Sequence, residues 1–323
     1  MQIAAEYEYC IPASLPEAVS LVADGATVMA GGSDLMPRLK LGVASPVRMA
    51  DIARVPGLAG IRGEADGLHI GAMTTLSAIA TDETILRLAP ALTKAARNVA
   101  SPQIRTRGTV AGNLLQARRC FYFNQPASWR EGIPVCRKLG GDVCLQVKSS
   151  PVCRAIYYSD MAPALIALRA EAVLWTAEGE RRMPVEDLVK AHCTDTLGPV
   201  LVTELTVPAG SLAEAGTVAL FRKYSLRGGI DFPIINFACA VHPDGGVDFL
   251  VGAIAPEVVR LEKVEAYLQA ERGGFDLETA ISMAVEEMGE KSRLIREAGI
   301  SIPVKRNAFL QVRGILTALK KQF

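Results

Sequence analysis

Four of the seven cysteines, Cys120, Cys136, Cys144 and Cys153, fall within 34 consecutive residues of the 323-residue chain. An even spread would place about 0.7 of them in such a window, so the cluster answers a requirement beyond composition. A metal centre is such a requirement, and four thiolates spread this widely must come from a long loop rather than from one helix or strand. The spacing, C-x15-C-x7-C-x8-C, lacks the close pairs of zinc ribbons and knuckles and is not one of the common ferredoxin runs. Both an iron–sulfur cluster and zinc therefore stay open on spacing alone. The remaining three, Cys10, Cys193 and Cys239, make the total odd, which fits a reducing compartment better than a disulfide framework.

Charge concentrates on the same segment. From Arg118 to Arg154 there are seven basic residues against Glu131 and Asp142, while the whole chain carries 35 basic and 34 acidic residues. A balanced chain argues against nucleic acid or an anionic membrane as a global partner. A local positive loop favours thiolate over thiol and offers a docking face to an acidic electron carrier. Phe121, Tyr122, Phe123 and Trp129 lie in the same stretch and would shield a cluster from water.

Size and hydropathy set the remaining bounds. At roughly 150 residues per domain the chain holds two or three domains. Half of it is hydrophobic and its mean hydropathy is +0.24, read as core plus partner interface, yet no run approaches the roughly 18 apolar residues of a membrane span. The N-terminus carries Glu6 and Glu8 where a signal peptide needs basic residues and an apolar block, so a cytoplasmic protein is expected.

Along the chain, Ser14 caps an expected helix from Pro16 to Ala23, and Ala26–Ala30 reads as a strand. Gly31-Gly32-Ser33-Asp34 follows and opens a second helix through Leu35 and Leu39, capped by Ser33 or Asp34. A strand, a glycine turn and a helix start form a natural anion cradle, because glycines admit close backbone approach and helix amides are free. Residues 66–80 read as a strand running into a helix near Thr75, and 84–99 as a helix broken at Pro90. A second glycine-bearing loop spans 101–113, with Arg105 and Arg107 beside it, so one ligand with two phosphates is plausible. Strands are expected at 171–176 and 200–207 around a glycine turn at 177–182, and 208–216 reads as a domain boundary. Three further strands (217–224, 234–242, 246–254) and helices near 256–271, 276–289 and 304–321 complete an α+β C-terminal part.

Several chemistries lack support. There is no G-x-G-x-x-G after a strand and no P-loop signature, which excludes the nucleotide folds easiest to read. His69, His192 and His242 fall in separate elements and read as structural. No nucleophile elbow or carboxylate pair supports hydrolysis. What remains is electron transfer or binding.

Taken in order, Ala30-Gly31-Gly32-Ser33-Asp34-Leu35, Thr109-Val110-Ala111-Gly112-Asn113 and Ser159-Asp160-Met161-Ala162-Pro163-Ala164-Leu165 resemble the FAD-binding medium subunit of the molybdenum hydroxylases, the xanthine dehydrogenase and carbon monoxide dehydrogenase group. The likeness extends to Phe221-Arg222-Lys223, Arg227 and Asp231, and so covers nearly the whole chain. It implies an α+β fold: a two-subdomain FAD-binding part at 1–208 (about 1–55 and 56–208), with a cysteine insertion at about 117–156. A smaller C-terminal domain at 216–323 would follow, with a three-stranded antiparallel sheet plus helices. It also implies that the backbone of Met29–Leu35 and of Thr109–Asn113 holds the FAD pyrophosphate, and that Asp160 and Lys223 stand beside the flavin. Ala111 departs from the family, which usually has glycine there, so this position must avoid positive φ.

Most of the family lacks the insertion. The β subunits of 4-hydroxybenzoyl-CoA reductases have one that binds a 4Fe-4S cluster, and Cys120, Cys136, Cys144 and Cys153, with the Phe121–Gln125 run, are similar to it. This implies a subunit passing electrons from a ferredoxin-like donor through 4Fe-4S and FAD to 2Fe-2S clusters on a small partner. A large molybdenum-cofactor subunit would then remove a phenolic hydroxyl reductively, in a dimer of heterotrimers. The alternatives are the FAD subunit of an oxidising hydroxylase and, from another class, a scaffold with structural zinc.

Overall fold

A computed structural model describes residues 6–228, 230–271, 274–297 and 299–322. Three sheets organise them. The first is parallel, with β1 (Glu8–Cys10), β3 (Arg48–Asp51) and β2 (Thr27–Met29) in that order across the sheet. The Leu15–Ala23 helix starts where Ser14 accepts the Glu17 amide and buries Ala18, Val19 and Val22. Both β1 and β3 escape a pattern reading, since three or four residues with mixed exposure carry too little alternation.

The second sheet is antiparallel and runs β4 (Ile61–Glu64), β5 (Gly67–Gly71), β8 (Leu201–Pro208), β6 (Glu171–Thr176), β7 (Gly179–Pro184). The glycine turn expected at 177–182 is shorter than that. Gly179, at φ +120°, closes it, and Gly179–Pro184 continues as an edge strand whose exposed Glu180, Arg181 and Arg182 hide it from apolar patterning. Helices Leu76–Thr81, Glu83–Leu88 and Pro90–Arg97 belong to the same core; Thr75 and Asp82 cap the first two, and Pro90 opens the third.

The third sheet has four strands rather than three: β9 (Val218–Tyr224), β10 (Ile235–Val241), β11 (Val247–Gly252) and the two-residue β12 (Val259–Arg260). Because β12 pairs with β11, the helix expected from 256 begins only at Glu262. Period-two alternation splits β10 between two cores. Ala238 and Ala240 pack with the Met161–Ala167 helix, while Ile235, Phe237 and Cys239 pack with helices Glu262–Glu271, Leu277–Lys291 and Val312–Lys320. The expected terminal helix at 304–321 is divided into Ile302–Asn307, a 3-10 turn and Val312–Lys320. The main core thus draws Phe221, Ala238 and Leu250 from beyond the 209–216 link.

All seven residues of the Met161–Ala167 helix are buried. At about 1.5–3 kcal/mol for each large apolar side chain, Met161, Leu165 and Ile166 make it the rigid centre against which both larger sheets are referenced. Among the described residues, no helix is long and apolar enough to cross a membrane.

Candidate functional site: a glycine-loop cleft beside a cysteine segment

The two glycine loops, more than 60 residues apart in sequence, meet. A Cβ on Gly31 would lie 1.6 Å from the Arg107 carbonyl oxygen, so only glycine permits the contact, and Gly32 takes φ +70°. Between them opens a cavity of about 260 Å³, walled by Ala30–Leu35 on one side and Thr109, Ala111 and Gly112 on the other. Thr27, Arg38, Ile52, Met73 and Val200–Val202 are among the residues that line the rest. Apart from Arg38, these residues come from strands, a 3-10 turn and strand-flanking positions with no motif of their own, so no sequence signal marks them. Met29, Val110 and Asn113 do not line it.

The two loops differ in what they offer an anion. Around the second, Val110 N–H donates to Thr74 O, Ala111 N–H to Ala72 O, Gly112 N–H to Thr109 Oγ1 and Asn113 N–H to Thr109 O. Its helix amides are spent. On the first loop, no hydrogen bond among the described residues uses the amides of Gly31, Gly32, Ser33, Asp34 or Leu35. Five neighbouring free donors fit a pyrophosphate in the FAD class of ligand. Ala111 sits inside the Val110–Leu114 helix, outside the positive-φ residues, so its methyl group is tolerated.

Asp34 makes no capping bond with its side chain, contrary to the expected cap. It accepts instead from Arg119 (2.6 Å) and from the Ala117 amide (3.3 Å), fastening the first loop to the start of the cysteine segment. Asn113 turns the other way, its Oδ1 accepting from Ser159 Oγ (2.6 Å) and the Met161 amide (3.3 Å).

Asp160 and Lys223 are brought together but line no part of the glycine-loop cleft. Lys223 Nζ lies 2.8 Å from Asp160 Oδ2 and also donates to Asn98 O, and Asn236 donates to Asp160 Oδ1 at 2.8 Å. Both side chains are about 95% buried. Burial pushes the Asp160 carboxyl up, against Lys223 and Asn236, which pull it down. The pair locks the start of the Met161–Ala167 helix to β9 and β10, one layer behind the Thr109–Asn113 turn.

The cysteines arrive as two pairs. Arg119 and Ile156 form an antiparallel bridge that brings Cys120 towards Cys153, and a parallel bridge between Cys136 and Val143 brings Cys136 beside Cys144. All four are free thiols. Burial pushes the Cys120 thiol up, opposed by the Phe123 and Tyr122 amides and by Gln146 Nε2 at 3.6 Å from its sulfur. Cys153 Sγ accepts from the Ala155 amide at 3.4 Å. Phe121, Tyr122 and Trp129 form an edge-packed cluster beside them. Among the described residues, no three of the four sulfurs lie within 4.8 Å of one another.

Among the described residues, the one group of three ligand atoms that close is Glu64, Asp66 and His69. Both nitrogens of His69 are already engaged, by Asp66 (2.9 Å) and Glu204 (2.8 Å), carboxylates that the sequence reading did not place beside it. His192 and His242 bond the carbonyls of Gln116 and Ala167.

Solved structures fix the class of fold. The fold matches chains of carbon monoxide dehydrogenase from Hydrogenophaga pseudoflava (TM-score 0.72, 24% identity, 99% of each chain) and of quinoline 2-oxidoreductase from Pseudomonas putida 86 (0.71, 21%, 99% and 98%). The family profile described as the FAD binding domain in molybdopterin dehydrogenase matches residues 5–210, and the chain belongs to that family. Among relatives, the FAD-binding subunit PaoB of aldehyde oxidoreductase from Escherichia coli K12 is 32% identical over 257 residues, covering 76% of this chain and 79% of that protein. Subunit alpha of the 6-hydroxypseudooxynicotine dehydrogenase complex from Paenarthrobacter nicotinovorans is 30% identical over 242 residues, 74% and 68% of the two chains. The protein is an FAD subunit of the molybdenum hydroxylase type, an oxidoreductase component.

Proposed function

We propose that this chain is the electron-transfer subunit of a 4-hydroxybenzoyl-CoA reductase-type complex, holding FAD at the glycine-loop cleft and a 4Fe-4S cluster on Cys120, Cys136, Cys144 and Cys153. Its partners in this reading are a small 2Fe-2S subunit, a large molybdenum-cofactor subunit and a ferredoxin-like donor, in a dimer of heterotrimers. Bound FAD supplies exchange between one-electron and two-electron carriers. The chain itself supplies position: the Gly31–Leu35 amides hold the pyrophosphate, and Asp34, through Arg119, keeps that loop in register with Cys120. Arg119 in turn stacks on Phe232, 4.5 Å from its ring centre, and Phe232 packs on Tyr158.

The observation that carries the cluster is the presentation of the thiols. Two cysteine pairs lie in a basic, aromatic-lined segment, and amide or side-chain donors face the sulfurs of Cys120 and Cys153. Zinc would need its four sulfurs about 3.8 Å apart, the edge of a tetrahedron with 2.3 Å bonds. Among the described residues the four sulfurs do not form that close set. Seven free thiols support a reducing compartment, taken as the cytoplasm.

A second reading is an oxidising hydroxylase in which FAD is the electron exit and the cysteines bind nothing. The names of the relatives, an aldehyde oxidoreductase and a dehydrogenase, favour it. Cys136→Ser separates the two: the reductase reading expects iron and acid-labile sulfide to fall with FAD retained. Iron content equal to that of the parent chain refutes this ligand set.

A further inference from the structure

A second cavity, of about 760 Å³, lies between the cysteine segment, the end of the Val185–Cys193 helix and residues 256–257. Six cations line it: Arg38, Arg118, Arg137, Lys138, Arg154 and Arg293. Only Asp195 and Glu257 oppose them, and Asp195 is taken by Arg118 at 2.9 Å. Among the described residues, Arg137, Lys138, Arg154 and Arg293 have no carboxylate within 4.0 Å. Lys138 Nζ has no hydrogen-bond acceptor either and rests over the Phe123 ring, 5.1 Å from its centre. The Nε atoms of Arg38 and Arg137 are buried without a partner among the described residues.

Partly desolvated cations gathered without counter-charge are costly, and a fold that keeps them stabilises them with something else. We propose that this cavity binds a phosphate-bearing small molecule of nucleotide size. Forked guanidinium donors match phosphate oxygens, and the volume lies within the range of small-molecule sites. Phe123, Leu139, Val152 and Pro256 give an apolar wall for a base or other ring. Neither cofactor of the proposed function explains the cavity: Arg38 is the one cation it shares with the glycine-loop cleft, and Cys153 is the one cysteine of the four that lines it.

The test is equilibrium dialysis of ADP and, separately, inorganic pyrophosphate against flavin-loaded holoprotein at low salt, with flavin release followed by fluorescence. Saturable binding of either probe, weakened by salt and at least about tenfold weaker in Lys138→Met and in Arg137→Gln, supports the site. ADP binding tighter than pyrophosphate places a base on the apolar wall, and equal binding assigns the site to phosphate alone. Three results overturn the proposal: neither probe binds; binding is unaffected by both substitutions; or binding or substitution releases flavin, which would make the cavity an arm of the flavin site.

Discussion

Replacing Lys223 with methionine isolates what the Asp160–Lys223 pair does. The substitution keeps the length of the side chain and removes its charge, leaving Asp160 at 3% exposure with Asn236 as its one remaining side-chain partner. Breaking a buried ion pair from one side costs about 3–5 kcal/mol, because the other charge stays desolvated. The carbonyl of Asn98 also loses its donor, for a further cost of about 1–3 kcal/mol if nothing replaces it. Adding Asp160→Asn removes the stranded charge while keeping an acceptor for Asn236, so the double substitution should recover most of the pair's share and leave mainly the Asn98 deficit. Urea unfolding of flavin-loaded protein at neutral pH measures each step, with flavin content read in parallel. The reasoning is refuted if the double substitution is no more stable than Lys223→Met. It is refuted equally if Lys223→Met leaves the unfolding midpoint in place and strips the flavin, which would put Lys223 on the cofactor and not behind it.

Two further outcomes follow from the geometry. Gly31→Ala drives a methyl group into the Arg107 carbonyl; relieving that overlap costs about 1–3 kcal/mol and displaces the donors lining the cleft. FAD affinity should therefore fall at least about tenfold, and flavin retained at one per chain through dilution and gel filtration would contradict it. His69 supplies the pH test. Burial pushes its pKa down, but hydrogen bonds to Glu204 and Asp66 outweigh this and hold it above 6.5. Stability from this contact is complete below pH 6.5 and is lost as pH rises through the raised folded value. The urea midpoint should decline across that window, and His69→Gln should flatten the decline.

What the sequence showed well was short in range. Ser14 caps its helix as expected, a helix starts at Thr75, Pro90 breaks a helix, and both glycine loops stand at strand or helix ends. The fourfold cysteine segment was equally plain. Elements that depend on distant partners were not legible: β7 and β12 are a polar edge and a two-residue strand, each defined by its neighbour. The same holds for chemistry. Thr109 takes the Gly112 and Asn113 amides locally, but nothing local shows that Thr74 and Ala72 take those of Val110 and Ala111 while the amides of Gly31–Leu35 stay free. Asp34 reads as a helix cap until Arg119 competes for it, and the second cavity gathers cations from segments up to 255 residues apart, Arg38 to Arg293.

Whether the cysteine segment carries iron decides between the two electron-transfer roles. Iron, zinc, acid-labile sulfide and flavin should be counted per chain on anaerobically purified protein, with its visible spectrum. About four irons and four sulfides beside one FAD are predicted. One FAD with no iron, or with zinc in its place, would contradict the cluster and leave the chain an ordinary flavin subunit of an oxidising hydroxylase.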